Sequence, residues 1–218
     1  GEKSKPAATP ALGAIAFGSD SWVKDEGRYG IAIGDNAYVG LDDGVQKTNN
    51  DDVDGGVAIG RRARATKQYA TSMGSYAQAT GAQSIAIGGS SGTIYAAKAS
   101  GLSSIALGEV TRSEGLRSVA ISKEANATAQ DSIAMGTKSK ATVVNALAIG
   151  TNSEALAQNS IAIGDGAKVQ STALTQATIN ALNTAQTAYD NAVKAGGSSP
   201  NDEQAKTIAT AKTALDTA

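Results

Sequence analysis

A five-residue pattern of bulky, small and bulky residues closed by glycine recurs ten times along the first three quarters of the chain. The copies are variants of Ser-Ile-Ala-Ile-Gly, and their closing residues are fourteen positions apart except at insertions of two, twelve and six residues. Strict alternation of this kind predicts a short β-strand with two unlike faces. The closing residues are Gly18, Gly34, Gly60, Gly74, Gly88, Gly108, Ser122, Gly136, Gly150 and Gly164.

The two faces of this strand differ in side-chain size. The positions one and three before the closing residue are nearly all aliphatic, whereas the position between them is Ala in nine copies and Ser72 in the tenth. After the closing residue, small residues at the third and fifth positions around a mostly polar fourth position predict a second strand. Two strands and two turns in fourteen residues predict one coil of a parallel β-solenoid. Ten coils spaced about 4.8 Å apart form a rod about 48 Å long.

A coil with two walls has one narrow interior, so it cannot bury both the bulky face and the small face. One face closes the roll and the other packs against identical chains, and the close approach of bare backbones favours the small face inside. The sequence therefore predicts an oligomer. A period of fourteen also excludes the hexapeptide left-handed helix and the nonapeptide calcium roll.

The hydrophobic period changes to that of a helix from Thr172 onward. Gly196 ends this first helix, and Ser199 followed by Pro200 predicts the cap of a second. The two helices form either a hairpin or a coiled coil interrupted between them. The predicted domains are an N-terminal extension (1–12), a mainly β roll (13–171, with insertions near 24–29, 41–54 and 89–95) and a helical segment (172–218).

The composition excludes several classes of function. The chain has no His and no Cys, which removes the usual proton shuttle, thiol nucleophile, zinc ligands and disulfides. We therefore expect neither an enzyme nor a cofactor. The formal net charge of -1 argues against a nucleic-acid partner, which requires a basic surplus. No apolar run approaches the roughly 18 residues that span a bilayer.

The runs Asn145 to Ser153 and Asn159 to Gly164 resemble the repeat of YadA-like heads, the passenger heads of trimeric autotransporter adhesins. The resemblance extends over residues 13–169. It implies a left-handed parallel β-roll in a homotrimer, displayed at the outer membrane of a Gram-negative-type bacterium by an anchor absent from this sequence. It also implies binding to a host cell-surface receptor or extracellular-matrix protein, and self-association. The alternative function is a structural spacer that projects another binding domain.

Exposed aromatic residues and the insertions supply the candidate partner-binding residues. Trp22 and Tyr38 stack in the outer, otherwise polar column at the end that the resemblance places farthest from the cell, and exposed aromatic clusters are typical binding hot spots. Loops on a rigid scaffold often carry recognition. The candidates are Trp22, Tyr29, Tyr38, Asp42, Asp43, Asp51, Asp52 and Tyr95.

Two other patterns in the sequence do not predict a binding site. Asn50, Asp52 and Asp54 match the opening of a calcium loop, but Arg61 stands where such a loop requires Glu, so no metal site is predicted. The basic residues of the outer column have acidic neighbours and are interpreted as a solvated face. These basic residues are Arg64, Lys98, Arg112, Lys140 and Lys168.

Overall fold

The predicted fold class is confirmed by a computed structural model, which describes residues 5–6, 13–24, 27–41, 53–170, 176–196 and 201–217. The first unit of the chain, Gly1–Ser171, holds a parallel β-solenoid of about ten coils with a fourteen-residue repeat. The second unit, Thr172–Ala218, holds two helices. The strands are numbered β1 to β21 in chain order, and the coils together are called the roll.

Each coil contributes one strand to each of two parallel sheets. The aliphatic sheet has ten strands: β2 (Ile15–Phe17), β4 (Ile31–Ile33), β6 (Val57–Ile59), β8 (Thr71–Met73), β10 (Ile85–Ile87), β12 (Ile105–Leu107), β14 (Val119–Ile121), β16 (Ile133–Met135), β18 (Leu147–Ile149) and β20 (Ile161–Ile163). The polar sheet has eleven strands: β1 (Lys5–Pro6), β3 (Trp22–Val23), β5 (Tyr38–Val39), β7 (Arg64–Ala65), β9 (Gln78–Ala79), β11 (Lys98–Ala99), β13 (Arg112–Ser113), β15 (Asn126–Ala127), β17 (Lys140–Ala141), β19 (Glu154–Leu156) and β21 (Lys168–Gln170).

The insertions leave the register of both sheets unchanged. Tyr38 pairs with Arg64 across the twelve-residue insertion. Gln78 pairs with Lys98 across the six-residue insertion. The strands on either side of each of these two insertions therefore pair as strands of regular coils do.

The small face closes the roll, as the close approach of bare backbones predicted. Ala58, Ala86 and Ala120 of the aliphatic sheet are fully buried, and so are Ala65 and Ala79 of the polar sheet. Buried Ser side chains fill the remaining space, and six of their hydroxyls donate to the carbonyl three residues earlier, which satisfies both groups. Examples are Ser84 to Gly81 (2.7 Å), Ser118 to Gly115 (2.8 Å) and Ser139 to Gly136 (2.8 Å).

The closing glycines allow the coils to stack closely. Gly60 has a φ of +129°, and a Cβ on it would lie 2.7 Å from the carbonyl of Gly74 in the next coil. Both the backbone conformation and the space therefore require glycine. Ser122, at a φ of +96°, is the one residue of this column that carries a side chain.

Interior side chains at neighbouring positions complement each other in size. Val39 stands where the polar sheet usually has Ala. Gly56, which faces Val39, stands where other coils usually have Ser. A Cβ on Gly56 would lie 2.7 Å from Val39 Cγ1. In a regular coil the equivalent positions hold Ala79 and Ser84. The interior therefore accepts either a large residue beside Gly or a small residue beside Ser.

The second unit is a helical hairpin. Helix α1 (Gln176–Gly196) and helix α2 (Asp202–Thr217) contact each other, and Gln204 Nε2 donates to the carbonyl of Ala195 at 3.0 Å. Neither helix, over the residues that the structure describes, is long and apolar enough to cross a bilayer.

The predicted cap at Ser199 and Pro200 was wrong. Asn201 caps α2 through a capping box, in which its Oδ1 accepts from the Gln204 amide (2.8 Å) and Gln204 Oε1 accepts from the Asn201 amide (3.0 Å). This reciprocal pair satisfies two backbone groups at once and so sets the start of the helix at Asp202.

The size complementarity predicts non-additive effects of substitution. Gly56→Ser forces a side chain against Val39 and is expected to lower the free energy of unfolding by about 1–3 kcal/mol. Val39→Ala leaves a cavity. The double variant restores the Ala–Ser arrangement of regular coils, so it is expected to be at least about 1 kcal/mol more stable than the sum of the single effects. Denaturant unfolding at one fixed protein concentration measures all three.

The matched control is Gly92→Ser, because a Cβ on Gly92 meets nothing within 4 Å. This variant is expected to unfold like the unsubstituted chain. Additive effects of the two interior substitutions would contradict the complementarity.

Candidate partner-binding surface

The bulky columns of the aliphatic sheet face outward. Each strand except β8, which begins with Thr71, places two large side chains on this face. The side chains at the two ends of the sheet are the most exposed: Ile15 52%, Phe17 72%, Ile161 62% and Ile163 64%. The buried Ala between them points to the interior. The roll thus carries a continuous apolar surface along its whole length, which a soluble monomer rarely does.

The aromatic residues predicted on the outer polar column do lie together. Trp22 and Tyr38 occupy neighbouring paired strands, with ring centroids 6.2 Å apart in an edge-to-face arrangement. The ammonium of Lys24 lies 5.5 Å from the centre of the Trp22 ring and 5.4 Å from that of Tyr38. Arg64 lies over the Tyr38 ring at 4.9 Å. Cation–π attraction therefore stabilises both rings.

Tyr38 and Lys24 also fix the start of the twelve-residue insertion. The Tyr38 hydroxyl and the Lys24 ammonium both donate to the carbonyl of Leu41, whose side chain is buried. Tyr38 is therefore engaged in holding the chain at the point where the insertion begins. Trp22 keeps 37% of its surface exposed and is the part of this cluster that is open to a partner.

The end of the same insertion is fixed by a charged pair. The Arg28 guanidinium donates from Nε and Nη2 to the two carboxylate oxygens of Asp54, at 2.9 and 2.7 Å. Val53 beside it is fully buried. The four predicted acids Asp42, Asp43, Asp51 and Asp52 lie outside the described residues.

The geometry of Asp54 does not favour a calcium loop. Both of its oxygens accept from Arg28, which places a positive charge where a cation would bind. Among the residues that the structure describes, no group of three or more acidic side chains is placed to hold a metal ion.

The remaining predicted aromatics lie on the two edges of the roll, which are formed by the two turns of each coil. Tyr29 is 58% exposed in the turn that precedes the aliphatic strand. Tyr95 is 51% exposed, next to the 63% exposed Ile94, and its carbonyl accepts from Val110 in the other turn. The candidate residues are therefore divided among the polar sheet and both edges.

Sequence reasoning missed one exposed aromatic residue. Tyr69 is 55% exposed on the same edge as Tyr29. Both residues stand five positions before a closing glycine, Gly34 or Gly74. The recurrence of Tyr at this turn position is the signal in the sequence that identifies Tyr69.

The basic residues of the polar sheet form ion pairs with its acidic residues, in agreement with a solvated face. Lys98 lies 3.3 Å from Glu114, and Lys140 and Lys168 lie 2.9 and 3.1 Å from Glu154. Hydrogen bonds from Lys140 and Lys168 lower the pKa of Glu154 from its ordinary value, so this carboxylate stays charged.

The family model described as the YadA head domain repeat (2 copies) matches residues 11–37, 54–77, 65–91, 96–121, 127–153 and 144–167. These segments cover more than half of the chain. Two of the gaps between them fall at the twelve-residue and six-residue insertions. The matched family and the solenoid fold are structural rather than enzymatic. A comparison with curated proteins found no match.

Removal of the Tyr38 hydroxyl tests its role in holding the insertion. Tyr38→Phe keeps the ring but loses the hydrogen bond to Leu41, which is worth about 1 kcal/mol. We expect hydrogen exchange at the neighbouring Gly40 amide to become roughly fivefold faster. Tyr76→Phe, which loses a hydrogen bond from Arg62 elsewhere on the roll, is the matched control. Unchanged exchange at Gly40 in Tyr38→Phe would show that this hydroxyl does not hold the insertion.

Proposed function

The chain belongs to the YadA head domain family, and we propose that its roll is the head of a homotrimeric adhesin that binds a host cell-surface receptor or matrix protein. Members of this family are typically homotrimeric and adhesive, and they are cell-surface autotransporter passengers. Three copies of this chain assemble through the aliphatic sheet. The polar sheet and the edges of each roll face outward, and the end that carries Trp22 and Tyr38 contacts the receptor.

The observation that carries the proposal is the outward face of the aliphatic sheet. Its bulky side chains are excluded from the interior, because that interior is already filled, mainly by buried Ala and Ser. Burial of one large aliphatic side chain stabilises by about 2 kcal/mol, so leaving two per coil in water would forgo much of the stabilisation available to this chain. Three rolls side by side cover these columns and leave the charged polar sheets in solvent.

The assembly leaves the Trp22 cluster accessible. Trp22 lies on the polar sheet, opposite to the proposed contact, and its ring is held by Tyr38 and Lys24. A ring that is fixed before binding loses little conformational entropy when it is covered. A trimer presents three such clusters, which favours attachment to a surface through multivalent binding.

The twelve-residue insertion supplies a second contact in this proposal. Leu41 and Asp54, which flank residues 42–52 in the sequence, are both held by side-chain hydrogen bonds to the roll. We propose that its acids, Asp42, Asp43, Asp51 and Asp52, bind basic groups of the receptor, and that Tyr29 and Tyr95 extend the contact along the edges.

Trp22→Ala tests the binding role directly. We expect attachment of the purified chain to cultured host cells and to immobilised matrix extract to fall roughly thirtyfold, the loss that is typical of an aromatic hot spot. The solution mass and the unfolding midpoint are expected to stay unchanged.

Asn126→Ala, in the same outer column but six coils away, is the control and is expected to attach normally. A lower mass or midpoint for Trp22→Ala would assign the residue a structural role. If the unsubstituted chain attaches to neither surface, the spacer function is correct instead.

A further inference from the structure

We propose that Tyr29 and Tyr69 form a binding strip for a linear β-linked oligosaccharide that lies parallel to the axis of the roll. This inference rests on the proposed function, since it takes the roll to be displayed on a surface and names a ligand class for it. The strip lies on one edge of the roll and is distinct from the Trp22 cluster on the polar sheet.

The backbone places the two tyrosines two coils apart in the same column. The backbone amide of Gly55 donates to the carbonyl of Arg28, and the backbone amide of Tyr69 donates to the carbonyl of Asp54, each at 2.8 Å. Tyr29, Gly55 and Tyr69 therefore follow one another at the coil spacing, so that the two rings are about 10 Å apart. Both tyrosines have the left-handed backbone conformation, with φ of +58° and +54°.

Both rings are supported in the same way by a glycine of the preceding coil. A Cβ on Gly13 would lie 2.9 Å from Cδ1 of Tyr29, and a Cβ on Gly55 would lie 2.8 Å from Cδ1 of Tyr69. In each case the Cδ1–Cε1 edge of the ring rests on the glycine, and more than half of the side chain stays exposed. The two rings thus have matching orientations and are fixed before a ligand arrives, which lowers the entropy lost on binding.

Polar residues directly precede each position of this column in the sequence. The ion-paired Arg28 and Asp54 precede Tyr29 and Gly55, and Gln68 precedes Tyr69. A carboxylate has about four lone-pair sites, so Asp54 can accept from a ligand hydroxyl as well as from Arg28. The amide of Gln68 both donates and accepts. An aromatic face next to planar polar side chains provides both types of contact that a sugar offers.

An extended sugar chain fits this arrangement better than a peptide does. The apolar C–H face of a pyranose stacks on an aromatic ring, and two units of a β-1,4-linked hexose chain span nearly the distance between the two tyrosines. A proline-rich peptide in the polyproline II conformation repeats at a similar length, about 9 Å per three residues. Proline has no N–H, however, and so offers Asp54 no donor, whereas every sugar unit offers several hydroxyls.

Titration calorimetry of the full 218-residue chain with cellotetraose and cellobiose tests the proposal. The tetrasaccharide is expected to bind at least tenfold more tightly than the disaccharide, because only the longer ligand reaches both rings. Tyr69→Asn should reduce cellotetraose affinity to the level of cellobiose. Asn occupies the same left-handed turn position at Asn145 and Asn159, so this substitution keeps the backbone conformation. Tyr69→Phe keeps the ring and should retain most of the affinity.

Gln83→Asn, in the next coil of the same column, is the matched control and should bind like the unsubstituted chain. Absence of binding by either saccharide, or equal binding by Tyr69→Asn, would overturn the proposal. Binding of a proline-rich peptide with the same dependence on Tyr69, without saccharide binding, would assign the strip to a peptide.

Absence of saccharide binding together with normal attachment to cells overturns this inference alone. Saccharide binding without attachment to cells or matrix overturns the receptor proposal alone.

Discussion

The narrow interior of the coil is the constraint on which the rest of this structure depends. Two sheets that approach closely enough to bury Ala against Ala leave room for few larger residues, such as Val39, which faces Gly56. Bulky aliphatic side chains must then point outward. Those outward columns make the apolar surface that the proposed trimer would cover, so the packing inside the roll is the origin of that proposal.

The same regularity explains how recognition is distributed. Hydrogen bonds between equivalent positions fix each coil to the next, and register is kept across the insertions. Changes in the length of the repeat are therefore confined to the turns. The insertion that begins after Leu41 is fixed by Tyr38 and Lys24 at its start and by the Arg28–Asp54 pair at its end. A rigid roll with fixed loop ends suits the adhesive function that we propose.

Sequence reasoning predicted the features that repeat and missed those that depend on one particular neighbour. The fourteen-residue period and the two sheets follow from alternation of side-chain size, which the repeat displays ten times. The same alternation favours the small face inside but leaves the choice of face open. The hydrogen bond from the Tyr38 hydroxyl to the Leu41 carbonyl occurs only in this coil, so no repeating pattern predicts it. The cap of α2 was wrongly placed because Ser199 and Asn201 are both good capping residues, and only Asn201 has Gln three positions later.

The solution mass of the purified chain tests the central claim most directly. Sedimentation equilibrium over a wide range of dilution should give three times the chain mass of 21.7 kDa for as long as the protein remains folded. Folding and assembly should be lost together, because the aliphatic columns have no other cover. A stably folded species of 21.7 kDa at high dilution would show that the roll stands alone, and it would contradict the account.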